Sequence, residues 1–73
     1  MKNNFVKVTA TREPVVIWSG EHHAWWRPNS SGYCNDVNVA GRYSLADAKS
    51  LTSHVGPEKR IEIRDSPPIV PVS

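Results

Sequence analysis

A chain of 73 residues that is 38% apolar, with three Trp, two Tyr and one Phe, has room for one hydrophobic core and no second domain, and is too rich in apolar side chains to stay disordered. Nine Lys+Arg against seven Asp+Glu give a formal charge of +2, scattered along the chain, which excludes an acidic mimic of DNA and speaks against the continuous basic stripe of a nucleic-acid binder. A lone cysteine, Cys34, excludes an internal disulfide framework. With no signal-like apolar run after Met1-Lys2-Asn3 and no stretch of spanning length, a reducing, cytoplasmic, membrane-free setting is expected.

Residues 5–10 (Phe5-Val6-Lys7-Val8-Thr9-Ala10) suit a strand, broken by Thr11-Arg12-Glu13-Pro14. Val15-Val16-Ile17-Trp18-Ser19 and Ala24-Trp25-Trp26-Arg27 flank the polar connection Gly20-Glu21-His22-His23 and predict a β-hairpin. Four consecutive apolar residues give its first strand no polar side, so it should be central and covered on both faces. Residues 28–42 are rich in turn formers and read as a long loop held down by Tyr33, Cys34, Val37 and Val39. A helix follows over 45–55. Ser44 stands at its N-cap with Asp47 three residues on, Leu45, Ala48, Leu51, Thr52 and Val55 form its apolar face, and Gly56-Pro57 stops it, Gly56 in a left-handed C′ conformation. Residues 60–64 alternate strictly, turning Ile61 and Ile63 inward. The tail 66–73 is too proline-rich for a central strand.

The expected architecture is therefore a small α+β domain of ββαβ type: a three- to four-stranded, mainly antiparallel sheet with one helix on one face. Residues 1–14 form an N-terminal extension or extra strand, 15–65 the domain, and 66–73 a proline-rich tail. One helix covers only one side of a two-sided apolar strand. The other side needs the N-terminal segment, a second copy of the chain, or a partner.

Ala24-Trp25-Trp26-Arg27-Pro28-Asn29 with Gly32-Tyr33, then Ala40-Gly41-Arg42-Tyr43-Ser44, then Gly56-Pro57-Glu58-Lys59 with Ile61-Glu62, resembles a family of small uncharacterised proteins borne by phages and prophages. The resemblance spans roughly 15–65 and carries no activity. It implies a setting, that of accessory proteins which bind and disable host machinery in the host cytoplasm, anti-CRISPR proteins among them.

Catalytic and metal chemistry find little support. His22 and His23 are neighbours that point apart, and His54 suits the helix C-terminus, so no metal site is expected. Cys34 lacks the acid and the signature motif of a catalytic thiol, the carboxylates show no paired spacing, and the isolated glycines make no phosphate loop, so neither an enzyme nor a cofactor is expected. The tryptophans carry more information. Trp25 and Trp26 are sequential on a strand and face opposite ways, so only one packs beneath the helix. Trp beside Arg is the composition of an interface hot spot. Trp25, Trp26, Arg27, Tyr33 and Arg42 are the candidate partner contacts, with Arg60 and Arg64 flanking. The expected function is non-enzymatic binding and inhibition of a host protein. A homodimer is the competing structural outcome, and a single-stranded nucleic-acid platform is the alternative function.

Overall fold

The computed structural model describes residues 6–68; Phe5 and residues 69–73 of the expected strand and tail lie outside them. Five strands, β1 (Lys7–Val8), β2 (Val15–Ser19), β3 (Ala24–Trp26), β4 (Tyr33–Cys34) and β5 (Ile61–Asp65), and one helix, α1 (Leu45–Thr52), make up the domain. The sheet runs β1-β5-β2-β3-β4. β1 pairs with β5 in parallel and every other pair is antiparallel, so the α+β class holds and the strand count exceeds the expected three or four.

β2 is the axis of the sheet. Its β-branched residues Val15, Val16 and Ile17 are each 0% exposed, as a pleated strand with two occupied neighbours requires. The turn that joins it to β3 pairs Ser19 with Ala24 and Trp18 with Trp25. His23 takes a positive φ of 53° there, and the Ser19 hydroxyl accepts the His22 amide at 3.2 Å. At the same end Gly20 lets β5 come close, since a Cβ would stand 2.7 Å from that of Arg60.

β5 alternates as its sequence demands. Ile61 and Ile63 are buried while Arg64 is exposed, and with Val15, Ile17, Tyr43 and Ala48 they form the core beneath α1. Ser44 caps the helix by accepting the Asp47 amide at 3.1 Å, and the Glu13 carboxylate takes the Leu45 amide at 2.9 Å, so two of the free N-terminal donors are satisfied. The helix ends at Thr52, short of the expected 55. Thr52 turns its hydroxyl back onto the Ala48 carbonyl at 2.7 Å, while Ser53 remains right-handed at the C-cap. Gly32 has a positive φ and Gly56 does not, so Gly56 is no left-handed C′ residue: the helix has stopped before reaching it. Leu51, expected inward, is 38% exposed, because 3.6 residues per turn set it roughly a quarter-turn away from the line through Leu45, Ala48 and Thr52.

The segment expected as a loop also carries defined structure, a tight turn at Pro28–Ser30 in which Asn29 and Ser30 take positive φ of 59° and 56°, and the edge strand β4. Of its four expected anchors, Cys34 and Val37 are half-buried, whereas Tyr33 and Val39 are 44% and 46% exposed. The N-terminal segment joins the sheet in its plane. Thr9 donates its amide to Ile63 O at 2.9 Å, and the Asp65 carboxylate accepts the Thr11 amide (2.7 Å), the Arg12 amide (2.9 Å) and the Thr11 hydroxyl (3.0 Å). Among the described residues no helix is long and apolar enough to cross a membrane.

The amides of Arg12 and Thr11 hold the Asp65 carboxyl below the ordinary aspartate range, because both favour its charged form. A folded-state pKa below the unfolded value makes this contribution to stability full above about pH 4 and lost as pH falls through the lowered folded value. Urea unfolding at stepped pH is expected to show Asp65→Asn less stable than wild type at neutral pH, the gap narrowing as acid protonates Asp65. A gap that stays constant across the acid range would assign the loss to something other than this carboxylate.

Candidate functional site

Strand alternation sorts the sheet into two faces. On β2, Val15, Ile17 and Ser19 turn toward the helix, and Val16 and Trp18 turn away. Register carries this across the sheet: Lys7, Glu62, Trp18, Trp25 and Cys34 lie in one row on the face opposite the helix, with Arg64 beside Val16 in the next. No described helix or second sheet is layered on this face, although Val37 and Pro67 reach it beside Trp25. The N-terminal segment extends the sheet sideways and leaves it open.

Trp18 and Trp25 are cross-strand partners whose rings meet edge to face, centroids 4.9 Å apart at 64°, an arrangement the ring quadrupoles favour. Both are half-buried. Beside them runs a groove of about 390 Å³ lined by Thr9, Trp25, Val37, Arg64, Asp65 and Pro67. Val16 points to the same face yet is fully buried, so the side chains around it already exclude water. The Arg64 Nε lies 3.7 Å from the Glu62 carboxylate with half of its side chain exposed, a pairing too loose and too wet to hold it.

The sequence candidates separate across the molecule. Trp25 is on the open face and Trp26 on the helix side, as adjacent strand residues must be. Trp26 packs against the core cluster, and its indole Nε1 is buried without an acceptor. Tyr33 is Trp26's partner across β3 and β4 and stacks on His22, ring centroids 4.1 Å apart. Arg27 is exposed and gives its amide to Gly32 O at 2.9 Å. Arg42 turns to its own loop, Nη1 donating to Val37 O (2.9 Å) and Ala40 O (3.2 Å) while its buried Nη2 meets no acceptor among the described residues. Arg60 donates to Gly20 O at 2.7 Å. Of the two flanking arginines only Arg64 stands on the face with Trp25.

Trp18, Thr9, Val37 and Pro67 were not among the sequence candidates. The four-residue turn 20–23 held the signal for Trp18, since closing it with 19 opposite 24 sets 18 opposite 25. Thr9, Val37 and Pro67 come from segments without periodicity, and only the tertiary fold brings them together.

No family model, curated protein or solved structure matches the chain. Its chemistry therefore rests on its own geometry. The Ser19 hydroxyl lies 3.2 Å from His22 Nδ1, but the Glu21 carboxylate approaches that same nitrogen at 3.7 Å and Ser19 is 1% exposed. This is a capped turn: a relay needs the acid on the other ring nitrogen and the hydroxyl open to substrate. The Cys34 thiol turns to Asp36 O at 3.4 Å. Among the described residues no cluster of three His, Cys, Asp or Glu could hold a metal ion.

The loop behind the open face hangs on Tyr43. Its hydroxyl donates to Arg27 O and accepts the Ser30 amide at 3.1 Å, while its backbone exchanges hydrogen bonds of 2.8 and 2.9 Å with Val15. Gly41 makes room, since a Cβ there would stand 2.6 Å from the Tyr43 ring. Tyr43→Phe is expected to lower the unfolding free energy by about 1 kcal/mol, measured by urea denaturation. An unchanged midpoint would show that the hydroxyl does not anchor the loop.

Proposed function

We propose that this chain is a non-enzymatic accessory protein that binds another protein through its open sheet face and inhibits or modulates that partner by occupying its surface. The Trp18–Trp25 pair carries the proposal. Two indoles held in fixed geometry on an uncovered face supply large contact area at little entropic cost, the profile of an interface anchor. A phage-type setting, with a host protein such as a CRISPR-Cas component as the target, follows from the sequence resemblance alone.

A single-stranded nucleic-acid platform is the second reading, favoured by Lys7 and Arg64 standing on the same face as the two indoles. Glu62 stands directly beside Lys7 and two residues from Arg64 on β5, so phosphates would meet interrupted charge. Protein is the better fit. A second copy of the chain could also use the face, and sedimentation separates that outcome.

The test is capture from host lysate with wild type, Trp18→Ala, Trp25→Ala and the exposed helix variant Lys49→Ala. Loss of the captured protein with either Trp variant, its retention with Lys49→Ala, and persistence of the complex in high salt are the expected results. Binding that collapses with salt and transfers to an oligonucleotide would assign the face to nucleic acid, and capture indifferent to both tryptophans would end the proposal.

A further inference from the structure

Building on that reading of the open face, we infer that its groove takes an extended, proline-containing peptide segment of the partner in the polyproline II conformation.

The first observation is a surplus of hydrogen-bond donors. Among the described residues neither Trp18 nor Trp25 donates its indole N–H to a protein acceptor, and neither N–H is buried. Arg64 adds a guanidinium whose sole ion-pair contact is the loose 3.7 Å approach of its Nε to Glu62. The groove's side-chain oxygens add no further donor. The Thr9 hydroxyl donates to Ile63 O at 3.3 Å, and the Asp65 carboxylate accepts three hydrogen bonds from Thr11 and Arg12. Two spare indole N–H donors and a loosely held guanidinium favour a ligand that presents backbone carbonyls, and a polyproline II backbone spends none of its own on internal hydrogen bonds. A proline-containing backbone has that chemistry, since each proline keeps its C=O and lacks the N–H.

The second observation is shape. The groove lies above Val16, between Arg64 on β5 and Trp25 on β3, so an occupant crosses the strands and cannot add to the sheet by main-chain pairing. Recognition must come from side-chain pockets, as when polyproline II segments dock in aromatic-lined grooves with little ordering entropy to lose. The chain supplies its own precedent. After β5, Ser66 gives its amide to Pro14 O at 3.2 Å, and half-buried Pro67 forms part of the same groove wall as Trp25. A proline ring is thus already accommodated at this rim.

Charge selects against the phosphate alternative. Glu62 shares this face with Arg64 on the same strand, and a phosphodiester drawn to the guanidinium would meet that carboxylate, whereas a neutral carbonyl is not repelled by it.

The experiment titrates the whole chain with acetyl-decaproline amide, a Gly-Ser peptide of the same length and an oligothymidylate, following the three indole N–H signals by heteronuclear NMR. Decaproline is expected to shift the signals of Trp18 and Trp25 and leave in place that of Trp26, whose Nε1 is buried, with Trp25→Ala weakening binding about tenfold or more and Arg64→Gln weakening it less. Trp25→Leu, which keeps apolar cover over Val16, replaces Trp25→Ala if the latter unfolds. Equal shifts from the Gly-Ser peptide, shifts from the oligothymidylate alone, or no shift at Trp18 and Trp25 would each overturn the inference. So would decaproline binding only to a chain cut after Pro68, or a dimer that hides both indoles. If decaproline fails while a captured protein still depends on Trp25, the peptide inference falls and the binding face stands; if capture ignores Trp25 as well, both fall.

Discussion

The molecule is organised by the demand that β2 makes on its surroundings. Val15, Val16 and Ile17 need cover on both faces, and a domain of this size has one helix to give. Burying Val15 and Ile17 with α1 forces Val16 and Trp18 to the opposite side, because strand alternation permits nothing else. The rest of the open face follows from that placement. Trp25 arrives opposite Trp18 by the closing of the hairpin, and each indole shelters part of the other without a second layer. The face is stable enough to exist in the isolated chain and apolar enough to gain from contact.

Much of this was legible beforehand because it depends on local periodicity. Ser44 and Asp47 marked the helix start, Ile61 and Ile63 announced a one-sided strand, and consecutive Trp25 and Trp26 had to part company across the sheet. What could not be read came from tertiary context. β4 is two residues long, too short to show a period, and exists because β3 offers it an edge. The helix stop was misread because Gly56-Pro57 is a strong signal that the chain reaches only after the Thr52 hydroxyl has turned inward and the helix has already closed. Arg42 looked like a contact residue, but a guanidinium satisfies loop carbonyls as readily as a partner's, and sequence alone does not distinguish the two.

The candidate site shows the same division. Trp25 and Arg64 were named from composition and do share the open face. Trp26 and Tyr33 were named on the same grounds and lie on the other, where Tyr33 stacks on His22. Composition identifies residues capable of recognition; the pleat decides which of them act together. The N-terminal segment pairs edge-on with β5 in parallel and brings no roof over Trp18.

The edge-on pairing also bears on how the chain comes together in time. Thr11 and Asp65 are 54 positions apart in sequence, and β5 lies between β1 and β2, so the sheet's middle is assembled from an early and a late part of the polypeptide. During synthesis the β2–β3 hairpin can form as soon as it emerges, but Ile17 gains its neighbour Ile63 only after the loop, the helix and β5 have been made. Until then the hairpin presents two unfinished sides to the cell. Such non-local closure slows folding and leaves an interval in which apolar strand surface is open to the wrong company. On the proposed reading of the open face, the hazard of the chain's assembly and its means of action stem from the same sheet.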